Sequence, residues 1–216
     1  LVIDRSHYNW QHSVYVTANY NRTYDNMSNG NFVRKQVKAL VEGIAPLDPL
    51  EAEHIATTVA WIESGAPLFR TQKPATPPQH LVAYFVVVDM ASGQLLLTDH
   101  KDAGLWLPSG GHVEPEEHLR ETVVREAYEE LGIAADFVWP DPIFLTVTQT
   151  QGQSAGHTDV SLWYVLHGDV HAEFTHDPGE FHGVMWFGLH ELPGSRIEPH
   201  LARFVAKLQR MDSANT

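Results

Sequence analysis

Gly111 to Ile133 reads GHVEPEEHLRETVVREAYEELGI, and the fold class turns on this stretch. At about 100° per residue, Leu119, Val123, Ala127 and Leu131 fall on one stripe. The spacing predicts a helix over 117–131 anchored to a core by that stripe. Glu126, Glu129 and Glu130 lie three and four residues apart and form a second patch along its edge. A solvated acidic face is the ordinary reading of such a patch. Clustered hard oxygens on a fixed backbone also suit Mg²⁺ or Mn²⁺, because a cation relieves their mutual repulsion. Upstream, Glu114 precedes Pro115 and is pushed toward an extended conformation. Gly110-Gly111 permits a tight turn and leaves a carbonyl as a further oxygen ligand.

On the N-terminal side, His80 to Asp89 (HLVAYFVVVD) is a continuous apolar, β-branched run, as expected for a buried central strand. Ser92-Gly93 turns the chain, and Gln94 to Thr98 returns as a second strand. Downstream, Ile143 to Gln149, Val160 to Leu166 and Val184 to Phe187 read as strands. Glu198-Pro199-His200 opens a last helix with Leu201, Phe204, Val205 and Leu208 on its apolar side. Strands that bracket helices in this way predict one α/β domain over 80–212 with a mixed sheet between helices.

Farther upstream, 73–79 carries Pro74, Pro77 and Pro78 and reads as a Pro-rich linker. Before it, 31–72 is predicted to be a helical hairpin. Val33, Val37, Leu40, Val41 and Ile44 give one apolar face, and Ala52, Ile55, Val59 and Ile62 give the other. Asp48-Pro49-Leu50-Glu51 is a strong helix start, with Glu51 placed to reach back to the chain before it. The hairpin is expected to pack on the main domain or on a second subunit, which leaves a homodimer open. Residues 1–30 begin with Leu1 and contain Met27, and read either as an N-terminal arm or as an appended, non-native extension.

The sequence of 216 residues has 14 Lys plus Arg against 27 Asp plus Glu, a formal net charge of −13. Such a surface repels nucleic acid polymers and anionic membranes, and argues against reading the hairpin as a DNA-binding helix-turn-helix. Phosphorylated small molecules would be repelled too, unless a bound metal inverts the local field. With no cysteine, disulfides, thiolate zinc sites and a cysteine nucleophile are excluded. A cytoplasmic location is expected, since no membrane span or signal peptide is visible. The 14 histidines look scattered, with no His-x-x-x-His pair on a predicted helix, and read as surface residues. Trp106, Trp163 and Trp186 read as core before they read as base-stacking platforms.

The full spacing sharpens this picture. Gly111, five residues, Glu117, seven residues, Arg125-Glu126-Ala127, one residue, Glu129-Glu130, one residue and Gly132-Ile133 resembles the complete Nudix box, with every specified position matched. Trp106 to Gly111 (WLPSGG) resembles the approach to that box, with Ser109 shifting the register by one. The resemblance covers about 80–210. It implies a Nudix-type α/β/α sandwich, here preceded by the helical hairpin, and a hydrolase that cleaves the phosphoanhydride of a nucleoside diphosphate linked to another group.

The resemblance further implies that Glu126, Glu129 and Glu130 are ligands of Mg²⁺ or Mn²⁺, that Gly111 offers its carbonyl, and that Glu117 joins through water. Arg125 then orients a box glutamate. The base is Glu126 or a loop glutamate, for which Glu180 is the candidate. His157 and Asp159, at the start of a strand, border the site or cap that strand. A non-catalytic nucleotide sensor is the main rival, although sensors usually carry a damaged box. The isoprenyl diphosphate isomerase branch falls because it needs a cysteine. Substrate markers are absent: Thr148 stands where ADP-sugar members have a proline, and 149–151 lacks the tyrosine of dinucleoside polyphosphate members.

Overall fold

The apolar run around Val86 becomes the centre of a seven-stranded mixed sheet. A computed structural model describes residues 29–73, 76–115, 117–150 and 156–214. The N-terminal arm up to residue 28 and Pro74-Ala75 of the linker lie outside the described residues. Strand β1 (Gln79–Asp89) pairs in parallel with β6 (Thr158–His167), and antiparallel with β2 (Gln94–His100) and β4 (Ser109–His112). β5 (Phe144–Gln149) closes one side on β6, while β3 (Leu105–Leu107) and β7 (Phe181–Gly188) both pair with β2. Several strands extend past their apolar cores, β7 as far as the Phe181–His100 pairing, because backbone pairing and not hydrophobicity sets where a strand ends.

Helices cover both faces. Leu81, Ala83, Phe85 and Val87 point to one side of β1, where they meet Leu119, Val123, Ala127 and Leu131 of α3 (Leu119–Leu131). All four stripe residues of α3 are buried. Val86 and Val88 point to the other side, against Leu201, Phe204, Val205 and Leu208 of α4 (Leu201–Ala214). The period-two alternation of a central strand thus serves two cores at once. Trp163 lies in the second core, stacked on Phe204, and Trp186 packs edge-on against Phe174.

The hairpin of α1 (Asn29–Gly43) and α2 (Pro49–Glu63) packs on the first face, where Val37, Val41, Ile44 and Ile62 join the same core as β1 and α3. Ala52, expected in the buried stripe of α2, is exposed, and its neighbour Glu51 is fully buried instead. Its carboxylate does three things. Oε2 accepts from the Leu47 N–H at 2.6 Å, while Oε1 accepts from Lys207 Nζ of α4 at 2.6 Å and from the Leu145 N–H of β5 at 3.3 Å. His54 Nδ1 accepts from the Val147 N–H at 3.4 Å. An edge strand presents alternate N–H groups outward, and here α2 covers and satisfies two of them. Arg203 adds a two-pronged pair to Asp48, at 2.9 and 2.6 Å, which holds that carboxyl well below the usual carboxylate range. No helix among the described residues is long and apolar enough to cross a membrane.

Candidate active site

The helix that carries the glutamates begins two residues later than its periodicity suggests. His118 caps α3: its Nδ1 accepts from the Arg120 N–H at 3.1 Å, and Glu121 reaches back to the His118 N–H at 3.1 Å. Glu117 is thereby left outside the helix. Its Oε2 accepts from the Thr122 hydroxyl at 2.7 Å and the Glu114 N–H at 3.1 Å, and so ties down the loop that leads into α3. Gly132 ends the helix in the left-handed conformation, at φ 67°.

Arg125 is the latch between loop and helix. It grips Glu117 with Nε and Nη2 at 3.0 and 3.1 Å and touches Glu126 with Nη1 at 2.6 Å. Nη1 also lies 3.5 Å from Glu129. A planar fork held by several carboxylates stays put, and it holds Glu126 at a fixed distance from Glu117.

Strand β4 supplies the other wall. Gly110 and Gly111 pair with Tyr84 and Ala83 of β1. At φ 145°, a Cβ on Gly110 would overlap the Ala83 carbonyl, so only glycine lets the two strands approach. A Cβ on Gly111 would overlap the Glu126 carboxylate. The Gly110 N–H donates to Glu130 Oε2 at 3.0 Å. Glu126 and Glu130 are thus pressed against the glycine strand from one helix face, four residues apart. Glu129, 59% exposed, stands at the rim.

These groups open onto a cavity of about 780 Å³ lined by Gly111, Arg125, Glu126, Glu130 and Glu180, with Arg70, Lys73 and Asp159 on other walls. Glu117 and Glu129 do not line it. Glu180 is exposed; Lys101 holds its segment through the Glu180 carbonyl at 3.0 Å and through Pro178. Burial pushes the Glu126 and Glu130 carboxyls above their usual range; the charges of Glu129 and Glu180 add to the shift of Glu126, and those of Glu126 and Glu180 to the shift of Glu130. Acids raised in this way in a cleft are the signature of a place where a cation or a proton is wanted.

A family model described as the NUDIX domain matches residues 79–208. The chain belongs to the Nudix hydrolase family. A Bacillus subtilis (strain 168) protein named "Putative 8-oxo-dGTP diphosphatase" is 47% identical over 51 residues, 24% of this chain and 34% of that one. The chain thus aligns with about a third of the length of that curated relative. Among solved structures, a MutT Nudix hydrolase from Burkholderia pseudomallei is similar at 27% identity over 59% of this chain and 95% of the other, with a TM-score of 0.46. A Nudix-family hydrolase from Clostridium perfringens is similar at 22% identity over 61% and 97%, with a TM-score of 0.49.

The Nudix cavity also holds a cluster that the sequence hid. Reading the histidines as scattered surface residues fails for His80, His112 and His157. His80 and His157 are buried, His112 is partly so, and all three rings surround Asp159. Burial, with Arg70 next, pushes His112 down to about 2, so its ring is neutral. The residues come from separate segments, and only strand register unites them: His80 is opposite Asp159 in the parallel pair, and His112 is opposite Val82. The local signal is the alternation His157-Thr158-Asp159, which puts two polar side chains on one face at the start of a strand.

Two expected results follow from the Nudix cavity. Gly111→Ala should keep the fold, because the atom displaced is the mobile end of Glu126, yet lose about 10²-fold in kcat through misplacement of that carboxylate by about 1 Å. Near-wild-type kcat with an unchanged unfolding temperature would remove Gly111 from the site. Glu198, on the cavity wall, is pushed up to about 7 by burial, against the pull of the His200 and Leu201 N–H groups. A folded-state value above the ordinary 4.5 means the protonated form favours folding. That stability is full at low pH and is lost as pH rises from about 4.5 through about 7. Urea unfolding across this window should show wild type losing up to ~1.4 kcal/mol per pH unit relative to Glu198→Gln. Parallel pH profiles would show that Glu198 titrates normally.

Proposed function

We propose that this protein is a divalent-metal-dependent pyrophosphohydrolase that cleaves a phosphoanhydride of a nucleoside diphosphate linked to another group, by attack of water on phosphorus. One observation carries the reading: buried Glu130 and half-buried Glu126 stand side by side against the glycine strand at the head of a nucleotide-sized cavity. The donor set fits a hard cation, because two crowded carboxylates and a glycine carbonyl offer oxygen only. Glu126, Glu130 and the Gly111 carbonyl would hold Mg²⁺ or Mn²⁺, with Glu129 joining from the rim and Glu117 through water. A bound cation supplies neutralisation of the diphosphate charge and acidifies water.

The chain's own residues do the rest. Arg125 keeps Glu126 ionised and in place and does not touch substrate. Arg70 and Lys73, the cations on the open walls, meet the phosphates. Glu180 is the base that takes the proton from the attacking water, with Glu126 as the alternative. The name of the Bacillus subtilis relative favours nucleoside triphosphates, including oxidised ones, as the first substrates to try. The acidic surface, with its net charge of −13, suits a small soluble substrate in the cytoplasm better than a nucleic acid polymer or a membrane.

The deciding experiment is a screen of phosphoanhydrides with Mg²⁺ and with Mn²⁺, read by phosphate or pyrophosphate release. It should include 8-oxo-dGTP, dGTP, nucleotide sugars and dinucleoside polyphosphates. Chelator-sensitive turnover of at least one class is expected. Nucleotide binding without turnover of any class would replace the enzyme with a sensor.

A further inference from the structure

We propose that His80, His112, His157 and Asp159 form a second cation site, a tetrahedral Zn²⁺ site of three imidazoles and one carboxylate. It is separate from the box glutamates and does not rest on the hydrolase reading. One ligand atom from each residue lies within 4.8 Å of all the others. Asp159 Oδ1 is 3.3 Å from His80 Nε2, 3.3 Å from His157 Nε2 and 3.9 Å from His112 Nε2. Tetrahedral bonds of about 2.0–2.1 Å place ligand atoms about 3.3 Å apart, so the Asp159 spacings to His80 and His157 already match such a site, while His112 stands farther out at 3.9 Å.

The proton inventory points the same way. His80 Nδ1 lies 2.9 Å from the Pro77 carbonyl, which can only accept, so Nδ1 carries the hydrogen and Nε2 presents its lone pair. The Thr150 hydroxyl donates to the His157 carbonyl at 3.1 Å, and its oxygen then accepts from His157 Nδ1 at 3.2 Å. His157 Nε2 is therefore also a lone pair aimed at the carboxylate. Outer contacts that fix the tautomer, as here for His80 and His157, are what metal-ligating histidines require. The Nε2 atoms of His80 and His112 and Oδ1 of Asp159 are buried without a hydrogen-bond partner. A single proton serves one nitrogen–oxygen pair, whereas one cation serves all four atoms.

Three imidazole nitrogens and one carboxylate suit a borderline cation such as Zn²⁺ and not Mg²⁺, which prefers oxygen. Four protein ligands close the coordination sphere, which is the pattern of structural sites. The ion would pin β1, β4 and the start of β6 together at the cavity wall formed by His112, His157 and Asp159. Its charge would also offset part of the acidity there, which a phosphorylated substrate must otherwise meet.

The test uses the purified full chain, stripped with chelator and reloaded with Zn²⁺ or Co²⁺ in excess Mg²⁺. One equivalent of Zn²⁺ retained through gel filtration is expected, with a rise in unfolding temperature. Co²⁺ should give the intense visible absorption of a tetrahedral site. Asp159→Asn and His157→Gln should abolish both signals, and Thr150→Val should weaken Zn²⁺ binding roughly 10- to 100-fold. Glu126→Gln and Glu130→Gln should retain them. A natively folded protein that holds no Zn²⁺, an octahedral Co²⁺ spectrum, or binding that survives Asp159→Asn but not Glu126→Gln would each overturn the site. If the ligand variants fail to fold, X-ray absorption on the Zn²⁺-loaded wild type decides: three imidazoles support the site and fewer overturn it. No readout is catalytic, so this outcome and that of the substrate screen are independent.

Discussion

Glu126→Gln is expected to lower kcat for phosphoanhydride hydrolysis by roughly 10²–10³, the scale of losing one group that stabilises developing charge, with the fold intact. Glutamine keeps the shape and an acceptor oxygen for Arg125, so the latch to Glu117 survives. What it loses is the negative charge on the side chain pressed against Gly111. The metal-free variant should unfold no earlier than wild type. Burial, together with the charges of Glu129 and Glu180, pushes this carboxyl above its usual range; such a group loses stability as pH rises through its folded-state value, so removing its charge at neutral pH costs little. Glu130→Gln should behave alike, and Glu129→Gln should cost less because that side chain is 59% exposed at the rim. The measurement is kcat at saturating Mg²⁺ for all three variants, with thermal unfolding alongside. Full activity of Glu126→Gln would sink the catalytic assignment.

Lys207→Met should destabilise the chain by about 3–5 kcal/mol, the usual cost of stranding one member of a buried ion pair. Glu51 is completely inaccessible, and Lys207 is its only charged partner among the described residues, at 2.6 Å. Without the ammonium, the carboxylate keeps only the Leu47 and Leu145 N–H groups. Glu51→Gln in the same background should recover most of the loss, because a neutral amide still accepts from those donors. Urea unfolding midpoints of the two single variants and the double variant give the coupling directly. A change below about 1 kcal/mol would show the pair to be solvated, and the hairpin would then be held by its apolar face alone.

Glu51 also shows where sequence reading stops. Its position after Asp48-Pro49 reveals the helix start, and the cap is there. Nothing local reveals that it also reaches α4 and the edge of β5, since those partners are 156 and 94 residues away, respectively. Ala52 lies outside the core for the same reason: an apolar residue in phase with a stripe yields its buried position when a neighbour has a long-range ionic partner.

The amino-acid sequence by itself determined the α/β class, the apolar stripe of α3, the buried central strand β1 and the carboxylate cassette from Gly111 to Ile133. Each of these is written locally, in a 3.6-residue period for the helix, a continuous β-branched apolar run for the strand or a fixed spacing for the cassette, and such local patterns survive without knowledge of the fold. Tertiary structure alone decided which carboxylates enter the cavity, how Glu117 and Arg125 lock the loop before α3, and that α2 covers the β5 edge. It also gathered His80, His112, His157 and Asp159 around one point. Those contacts depend on the register between strands and on helix placement, which close over long sequence separations and leave no periodic trace in the chain.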